Sequence, residues 1–435
     1  MDASVVQGIL AIVALLTLGA IGVPVAYSMI SVGALGMWLI GGFDFMTVTL
    51  GRLPYSILSD YSFAVIPMFI LMGTLAAAAG ITTELYDIFN KLLARLRGGL
   101  YMTTVVASGV FAAISGSTIV NSAVFTRIAM PEMLRHGYNK GLSAGCIAGA
   151  GTFAALIPPS ISMVIVAMLT DASIGVLLIA GVLPGLLTIL VYIVGIAVMV
   201  RISPSWAPPP TIRYTFKEQA EGLGRLFPTL LLIGIVLGGI YSGLMFPSAA
   251  GAVGAIGALF IGLMRRRLSW GSFKESLISA TRSTAILLLI IIGGLILSRF
   301  LVFSGFVSHL SAVIEGWGLN TWQLLIAISI FYLVLGMFID PTSMMLVTIP
   351  FIFPIAEAVG VDVVWFAVIV VKLVELAAIT PPVGINLFTV MASSDNKVSS
   401  SDIFRGVLPF VFLEMIVLGM LIAFPIISTY LPSRM

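Results

Sequence analysis

The chain has 435 residues, of which 60% are hydrophobic and only 9% are charged, and its formal net charge is +3. A soluble domain carries about 25% charged residues because its surface faces water, so this composition excludes a soluble globular protein and predicts that a lipid bilayer surrounds the chain. One cysteine and two histidines exclude an internal disulfide and a cysteine- or histidine-based metal centre, and scattered basic residues do not favour nucleic-acid binding.

Apolar stretches long enough to cross a bilayer recur along the whole chain. In lipid, helices satisfy their own backbone hydrogen bonds, so the sequence predicts an all-α polytopic membrane protein. The stretch 43–61 is less apolar and is predicted to lie along the membrane interface, while the polar stretch 201–225, with its proline cluster, is predicted to be a linker between two halves. The predicted segments are 5–21, 24–41, 61–80, 99–116, 118–134, 141–169, 174–200, 227–243, 247–264, 283–303, 321–339, 342–359, 363–391 and 407–430.

Clusters of basic residues set the predicted orientation of these segments, because such clusters remain on the cytoplasmic side. For the first two clusters to share one side, residues 98–135 must enter the membrane and return as a hairpin. The same rule places residues 304–320 outside and makes 321–359 a hairpin that enters from the other side, which is an inverted arrangement. The clusters are Lys91, Arg95 and Arg97; Arg135 and Lys140; Arg201, Arg213, Lys217 and Arg225; Arg265, Arg266, Arg267 and Lys274; and Lys397 with Arg405.

The spacing of prolines indicates an internal repeat. In each half a single proline precedes a proline pair by 27 residues (158 − 131 = 27 and 381 − 354 = 27). An inverted repeat of hairpin and broken helix is typical of transporters whose sites form near the bilayer midplane. The positions that align at the offset of 223 are Pro131 with Pro354, Pro158 with Pro381, Pro159 with Pro382, and Ser117 with Asp340.

The residues at the predicted turns and breaks favour ion and carboxylate binding. Residues 115–118 (SGST) lie midway in an apolar stretch, and residues 340–343 (DPTS) do the same in the second half with a carboxylate added. Each proline pair interrupts a helix, because proline lacks an amide hydrogen and clashes with the preceding turn. The carbonyls freed there suit a sodium ion, and exposed helix N-termini suit a substrate carboxylate.

At these residues the chain resembles the large membrane subunit of tripartite ATP-independent periplasmic (TRAP) transporters, of the DctM type, in the ion-transporter superfamily. The resemblance extends over nearly the whole chain in length, segment order and motif order. The matching segments are SGSTIVNSAVFTRIAMPEM at 115–133, GAGTFAALIPPSI at 149–161, GMFIDPTSMMLVTIPFIFPI at 336–355 and ITPPVGINLFTV at 379–390.

The resemblance implies an elevator-type fold, in which a moving transport domain with two re-entrant hairpins and two broken helices slides against a scaffold. The regions expected on this basis are N-terminal scaffold helices at 1–97, a first repeat with hairpin and broken helix at 98–200, a cytoplasmic linker at 201–225, second-half scaffold helices at 226–303, and a second repeat with hairpin, broken helix and C-terminal helix at 304–435.

The same resemblance implies sodium-coupled secondary active uptake of a small organic acid across the bacterial inner membrane, with no enzymatic activity. A periplasmic substrate-binding protein would deliver the substrate, and a separate small four-helix membrane subunit would complete the complex. Sodium ions would be the coupling ions rather than a prosthetic group. Both termini of this multi-pass chain would lie in the periplasm.

Site residues are carried over by motif from the resemblance. The expected sodium ligands are Ser115, Gly116, Ser117, Asn121, Pro158, Gly336, Asp340, Thr342, Thr380 and Pro381. The expected substrate contacts are Ser117, Thr118, Pro159, Ser160, Pro382, Gly384, Asn386 and Arg299.

Several of these residues also have a purely structural interpretation. Serine and glycine within membrane helices commonly serve close packing, and Asp340 could simply cap the helix that follows it. Lys372 and Glu375 are three residues apart, which favours a structural ion pair over a role in conformational coupling. Arg299 could attract a substrate carboxylate or extend to the outer membrane boundary. Glu414, in the last predicted span, has no predicted role.

Other functions remain open at this point. An autonomous dicarboxylate or citrate carrier of the same superfamily would share the architecture and work without a binding protein. A membrane enzyme is less favoured, because the sequence lacks a metal-binding constellation and a serine nucleophile with a histidine base. A channel fits the composition, but two inverted hairpins suit alternating access better than an open pore.

Overall fold

The computed structural model describes residues 3–210, 214–395 and 397–435. Within these ranges the chain is helical and has no strand, which confirms the predicted all-α class. Eight helical stretches in the described part of the chain are long and apolar enough to cross a membrane. Arg213, predicted to belong to a cytoplasmic basic cluster, lies outside the described residues.

The first half consists of ten α-helices. The helix that contains the predicted interfacial stretch bends at Gly42, whose φ of 79° is non-helical, and then continues to Ser59 with mostly exposed side chains. The helices are α1 Ala3–Ala20, α2 Val25–Ser59, α3 Val65–Ala78, α4 Ile81–Leu93, α5 Gly99–Ser115, α6 Thr118–Arg135, α7 Lys140–Thr152, α8 Ile161–Leu169, α9 Ile174–Ala180 and α10 Val182–Ile202.

The second half adds ten more. They are α11 Phe216–Tyr241, α12 Pro247–Met264, α13 Trp270–Phe303, α14 Phe306–Gly316, α15 Thr321–Gly336, α16 Pro341–Ala358, α17 Val363–Ile379, α18 Ile385–Ser393, α19 Ser400–Ala423 and α20 Ile426–Thr429. Most of residues 304–320, which are predicted to lie outside the membrane, form helix α14.

Two helices begin earlier than the sequence predicted. The linker was expected to extend to residue 225, but α11 starts at Phe216, where Thr215 and Glu218 form a capping box that satisfies the first amides of the helix. Similarly α13 begins at Trp270 rather than at 283, because the Ser269 hydroxyl accepts a hydrogen bond from the backbone at Ser272 at 3.1 Å. Because the first turns of both helices are polar, the apolar pattern of the sequence did not indicate where they start.

The predicted repeat is confirmed by the helix boundaries. Helices α6 and α16 start at positions separated by the proline offset (341 − 118 = 223) and end at the same separation (358 − 135 = 223). The next helix of each half, α7 or α17, also begins at this separation (363 − 140 = 223). The two halves therefore fold into the same sequence of elements.

Each half contains a helical hairpin followed by a broken helix, as predicted. In the first half α5 packs against α6, and in the second α15 packs against α16. Residues 153–160 separate α7 from α8, and residues 380–384 separate α17 from α18. Both breaks contain a cis proline pair, Pro158-Pro159 and Pro381-Pro382.

Two groups of helices pack preferentially among themselves. Helices α2, α3, α12 and α13 form one group, and the hairpins and broken helices form most of the other. The first group belongs to the regions 1–97 and 226–303, for which a scaffold role is expected. The division into a scaffold and a moving domain stays a prediction.

The backbones of α7 and α19 are in direct contact. A Cβ atom added at Gly145 would lie 2.2 Å from the Gly406 carbonyl oxygen, and one added at Gly406 would lie 1.9 Å from the Gly141 carbonyl oxygen. Lys140 and Asp402 form a partly exposed ion pair of 3.1 Å at the same end. Glycine residues thus allow α7, in the first repeat, to pack closely against α19, the last long helix of the chain.

Candidate ion and substrate site

The tip of the first hairpin lies against the first helix break. Gly116 has a φ of 59°, and a Cβ atom there would lie 2.5 Å from the Pro159 carbonyl oxygen. The Ile161 amide donates a hydrogen bond to the Gly116 carbonyl oxygen at 3.5 Å. Only glycine combines this left-handed backbone with such a close approach. The structure therefore brings together two of the predicted site residues, Gly116 and Pro159.

Hydroxyls flank this tip on both sides. The Ser117 hydroxyl accepts a hydrogen bond from the Val120 amide at 3.4 Å and so caps α6, while the neighbouring Thr118 side chain is half-buried. The Ser115 hydroxyl is buried and has no hydrogen-bond partner among the described residues. The Ser115 backbone lies against Gly73 of α3, because a Cβ atom added at Gly73 would be 2.8 Å from the Ser115 carbonyl oxygen. Ser115 therefore offers a buried oxygen without a protein partner.

Asn121 ties the first hairpin to the first broken helix. Its Oδ1 accepts a hydrogen bond from the Ser108 hydroxyl at 3.1 Å, and its Nδ2 donates to the carbonyl oxygens of Ser108 at 3.4 Å and Gly151 at 3.5 Å. The side chain is fully buried between α5, α6 and α7. These contacts give the predicted sodium ligand a packing role, which the sequence did not indicate.

At the first break, a serine hydroxyl forms hydrogen bonds with the backbone on both sides. Ser160 is buried, and its Oγ accepts a hydrogen bond from the Met163 amide at 3.1 Å while donating to the Ala155 carbonyl oxygen. Pro158 and Pro159 are buried beside it. Ser160 is therefore the N-cap of α8, the half-helix that begins at the break.

The tip of the second hairpin carries a carboxylate in the place of Ser117. The Asp340 Oδ1 accepts a hydrogen bond from the Ser343 amide at 3.0 Å, so this residue is the N-cap of α16. Asp340 and Thr342 are half-buried. The Ser343 hydroxyl, which belongs to the predicted polar tip 340–343 but not to the expected ligands, is buried and has no partner among the described residues. The structural interpretation of Asp340 as a cap is confirmed, and its second oxygen remains free for a further role.

The second break is more open than the first. The Thr380 hydroxyl donates to the Leu376 carbonyl oxygen at 2.6 Å, and Gly384 has a φ of 37° at the start of α18. Pro381 is half-buried and Pro382 is exposed, in contrast to the buried pair of the first break. Gly336 of α15 packs closely on α17, since a Cβ there would lie 2.4 Å from the Ala377 side chain.

The two repeats cross over at the breaks. Helix α6 packs against α18, and α16 packs against α8, so each hairpin contacts the half-helix of the other repeat. The Asn386 Nδ2 donates to the Ala148 carbonyl oxygen at 3.4 Å, and its Oδ1 is buried with no partner among the described residues. Apart from Arg299, the predicted site residues thus lie on hairpins and broken helices that contact one another, and Ser115 and Asn386 have buried oxygens without a partner in the described chain.

Arg299 does not belong to this region. It is exposed on α13, and within the described chain it makes no hydrogen bond or ion pair. A cavity of about 430 Å³ is also elsewhere, between the loop after α6 and the proline cluster, and its lining includes Arg135, His136 and Tyr138 but none of the predicted site residues.

The sequence predicted the ion pair of Lys372 with Glu375 but not its burial or its third member. Lys372 and Glu375 are paired at 2.7 Å, as their spacing predicted. Glu414, which had no predicted role, also pairs with Lys372, across from α19. Spacing along the chain could not show this contact, because 42 residues separate the two side chains (414 − 372 = 42).

Two copies of a hairpin followed by a broken helix, with the first tip lying against the first break, are typical of secondary transporters. The sequence profile of one family, described as "Tripartite ATP-independent periplasmic transporter, DctM component", matches residues 12–427. The chain therefore belongs to the DctM family of TRAP transporter membrane proteins, as the motifs indicated.

Individual proteins agree with this assignment. The C4-dicarboxylate TRAP transporter large permease protein DctM of Pseudomonas aeruginosa is 34% identical, over 86% of this chain and 85% of that protein. The isethionate TRAP transporter permease protein DctMQ of Oleidesulfovibrio alaskensis is 29% identical, over 95% of this chain and 63% of that longer protein. The crystal structure of the Alcanivorax borkumensis YdaH transporter, at 12% identity, superposes with a TM-score of 0.59 over 89% of both chains, which supports the fold alone.

Proposed function

We propose that this chain is the transport-path subunit of a TRAP transporter that takes up a small organic acid with sodium ions. The supporting observation is the contact between the two repeats, in which the first hairpin tip lies against the first break and buried oxygens of Ser115, Ser343 and Asn386 have no partner among the described residues. Such oxygens favour a hard cation, and helix N-termini favour an anion. The chain is a transporter subunit and not an enzyme in this proposal.

The substrate class follows from the relatives' names and from the site. The Pseudomonas relative is named for C4-dicarboxylates and the Oleidesulfovibrio relative for isethionate, and both compounds are small organic anions. The polar region at the breaks offers the N-termini of α6, α8 and α16, each of which carries unpaired amide groups that suit an acidic group. The ligand proposed for this chain is therefore a small carboxylate or a comparable organic acid.

The proposed partners are a small four-helix membrane subunit and a periplasmic binding protein. Membership of a family described as a component of a tripartite transporter supports partners of this kind. The proposed location is the bacterial inner membrane, with both termini in the periplasm. Elevator movement of the hairpins and broken helices past α2, α3, α12 and α13 would carry the substrate across.

Reconstitution tests this proposal. Vesicles that contain the chain and its small subunit, with the binding protein added, should accumulate radiolabelled organic acid only when a sodium gradient is imposed. The acid would first be chosen by screening the binding protein for thermal stabilisation by C4-dicarboxylates, sugar acids and sulfonates. Full uptake by the chain alone, without the binding protein, would instead establish an autonomous carrier of the same superfamily.

A substitution at the first tip tests where the site lies. Ser117→Leu replaces the small capping hydroxyl at the N-terminus of α6 with a bulky apolar side chain, so uptake should be lost while the protein inserts normally. Ile119→Leu, on the exposed side of the same helical turn, is the matched control and should transport normally. Normal uptake by Ser117→Leu would show that this tip is not part of the site.

A further inference from the structure

Three ionisable side chains meet in the interior between α10, α17 and α19. Lys372, Glu375 and Glu414 are exposed by 0%, 1% and 0%, so water does not screen them. The Lys372 Nζ lies 2.7 Å from the Glu375 Oε2 and forms an ion pair with the Glu414 Oε2. It also donates to the Thr188 hydroxyl at 3.1 Å. One ammonium group therefore holds two carboxyl groups.

The charges in this cluster do not balance. With all three groups ionised, one positive and two negative charges leave a net charge of −1 in the interior. Tyr192 donates a hydrogen bond to the Glu414 Oε1 at 2.7 Å, but a neutral hydroxyl does not cancel a charge. A buried charge without a counter-charge is strongly unfavourable, and such a group is neutralised instead.

Neighbouring helices supply no second positive charge. The helices that pack against α17 are α7, α8, α9, α15, α16, α18, α19 and α20, and α10 adds Tyr192. Cys146 of α7 lies near the cluster, and Tyr332 of α15 is bonded to Thr348. The remaining titratable groups on these helices in the described residues lie on exposed or half-exposed surfaces: Lys140 and Asp402, which pair with each other, Arg201, Glu357 and Arg405. None of them faces the cluster as a cation.

The two carboxyl groups differ in their partners. Glu414 has two partners: its Oε1 accepts a hydrogen bond from the Tyr192 hydroxyl, and its Oε2 is ion-paired with Lys372 without a hydrogen bond. Glu375 uses one oxygen for Lys372, while its Oε1 is buried with no partner in the described chain. We propose that Glu375 binds one proton, and that this proton makes the cluster of Lys372, Glu375 and Glu414 electrically neutral.

The charged residues of this proton site all lie in the second repeat. At the repeat offset, Lys372 aligns with Gly149 (372 − 223 = 149) and Glu375 aligns with Thr152 (375 − 223 = 152), and neither of these can be charged. A Cβ atom at Gly149 would lie 2.8 Å from the Tyr192 hydroxyl oxygen, so the small residue in the first repeat makes room for the ring that bonds Glu414. Glu375 stands on α17, the helix that ends at the second break, so the proton lies on an element of the transport site.

Infrared spectroscopy of the purified full chain counts protonated carboxyl groups directly. A protonated carboxyl group has a carbonyl-stretch band that shifts in heavy water, whereas a carboxylate has none in that region. At neutral pH wild type should show this band, and Glu375→Gln should lose it. Glu414→Gln should also lose it, because one ammonium and one carboxylate then balance and Glu375 ionises. Lys372→Met should gain a second band, because both carboxyl groups must then be neutral.

The control for these spectra is Glu357→Gln, on an exposed face of α16, which should leave the band unchanged. Absence of the band in wild type, its persistence in Glu375→Gln or in Glu414→Gln, or its loss when sodium or potassium chloride is added would overturn the proposal. The two glutamines are isosteric with the side chains they replace, so these variants decide whether the cluster holds one proton even if Lys372→Met does not fold.

Discussion

The two repeats of this chain share one backbone plan but differ in their polar groups. The first caps its hairpin with the hydroxyl of Ser117, and the second uses the carboxylate of Asp340 at the equivalent position. The first has Gly149 where the second has the buried Lys372. Capping and proline spacing recur in both copies, whereas buried charged side chains occur, among the described residues, in the second copy only. This difference predicts that the second repeat reacts more strongly to pH, ions and substitution.

Lys372→Met should have the largest effect on stability, because it leaves two carboxyl groups buried without a cation. Removing one partner of a buried charged pair costs about 3–5 kcal/mol. The midpoint of thermal unfolding in detergent should fall strongly at neutral pH and recover in part in acid, where both carboxyl groups take up protons. The double variant Lys372→Met/Glu414→Gln should be less affected, and equal midpoints for wild type and Lys372→Met would show that the cluster is energetically unimportant.

Gly116→Ala should have the next largest effect, and it acts on the first repeat. The new Cβ would meet the Pro159 carbonyl oxygen at 2.5 Å, in addition to the strain of a left-handed backbone, which costs about 1–3 kcal/mol. Uptake by reconstituted vesicles should fall sharply. Gly137→Ala is the matched control, because Gly137 also has a positive φ of 74° but has open space around it. Similar uptake by the two variants would mean that the contact at the tip is unimportant.

Asp340→Ser makes the second hairpin tip like the first. Serine caps a helix about as well as aspartate, so the unfolding midpoint should stay near that of wild type, whereas Asp340→Ala should lose about 1 kcal/mol. If the free carboxylate oxygen binds sodium, both variants should require more sodium for half-maximal uptake. An unchanged sodium activation curve in Asp340→Ser would restrict this residue to capping.

Lys140→Ala should have the smallest effect. The ion pair of Lys140 with Asp402 is similar in length to that of Lys372 with Glu375, but it is partly exposed, and exposed pairs contribute only about 0–1 kcal/mol. Its loss should shift the unfolding midpoint little, and the shift should vanish in high salt because salt screens exposed charges. A shift as large as that of Lys372→Met would contradict the contrast between buried and exposed pairs.

Much of the fold could be predicted because membrane helices are apolar and their interruptions are chemically distinct. The residues at 115–118 and 340–343 marked the hairpin tips, and the proline pairs marked the breaks. The starts of α11 and α13 could not be found in this way, because their first turns are polar and depend on capping by Thr215 and Ser269. Apolar segments of the sequence therefore locate membrane-spanning helices more accurately than they locate the ends of those helices.

The candidate site was only partly visible in the sequence. Motifs identified Gly116, Ser117 and Asp340, all of which lie at hairpin tips. They did not reveal that Asn121 uses its side chain for packing or that Ser343 offers a buried hydroxyl. Such roles depend on which side chains meet across helices that are distant in sequence, and composition carries no information about this.

The glycine contact between α7 and α19 has a consequence for how the protein is made. These helices begin 260 residues apart in the chain (400 − 140 = 260), yet their backbones touch. Long-range contacts of this kind form late, because the intervening chain must be in place first. If the chain is inserted in the order of its synthesis, the glycine-lined side of α7 lacks its partner until α19 has been completed. A ribosome that stalls before α19 would leave most of the polypeptide inserted but α7 without its partner helix. Such a product would be a substrate for membrane quality control.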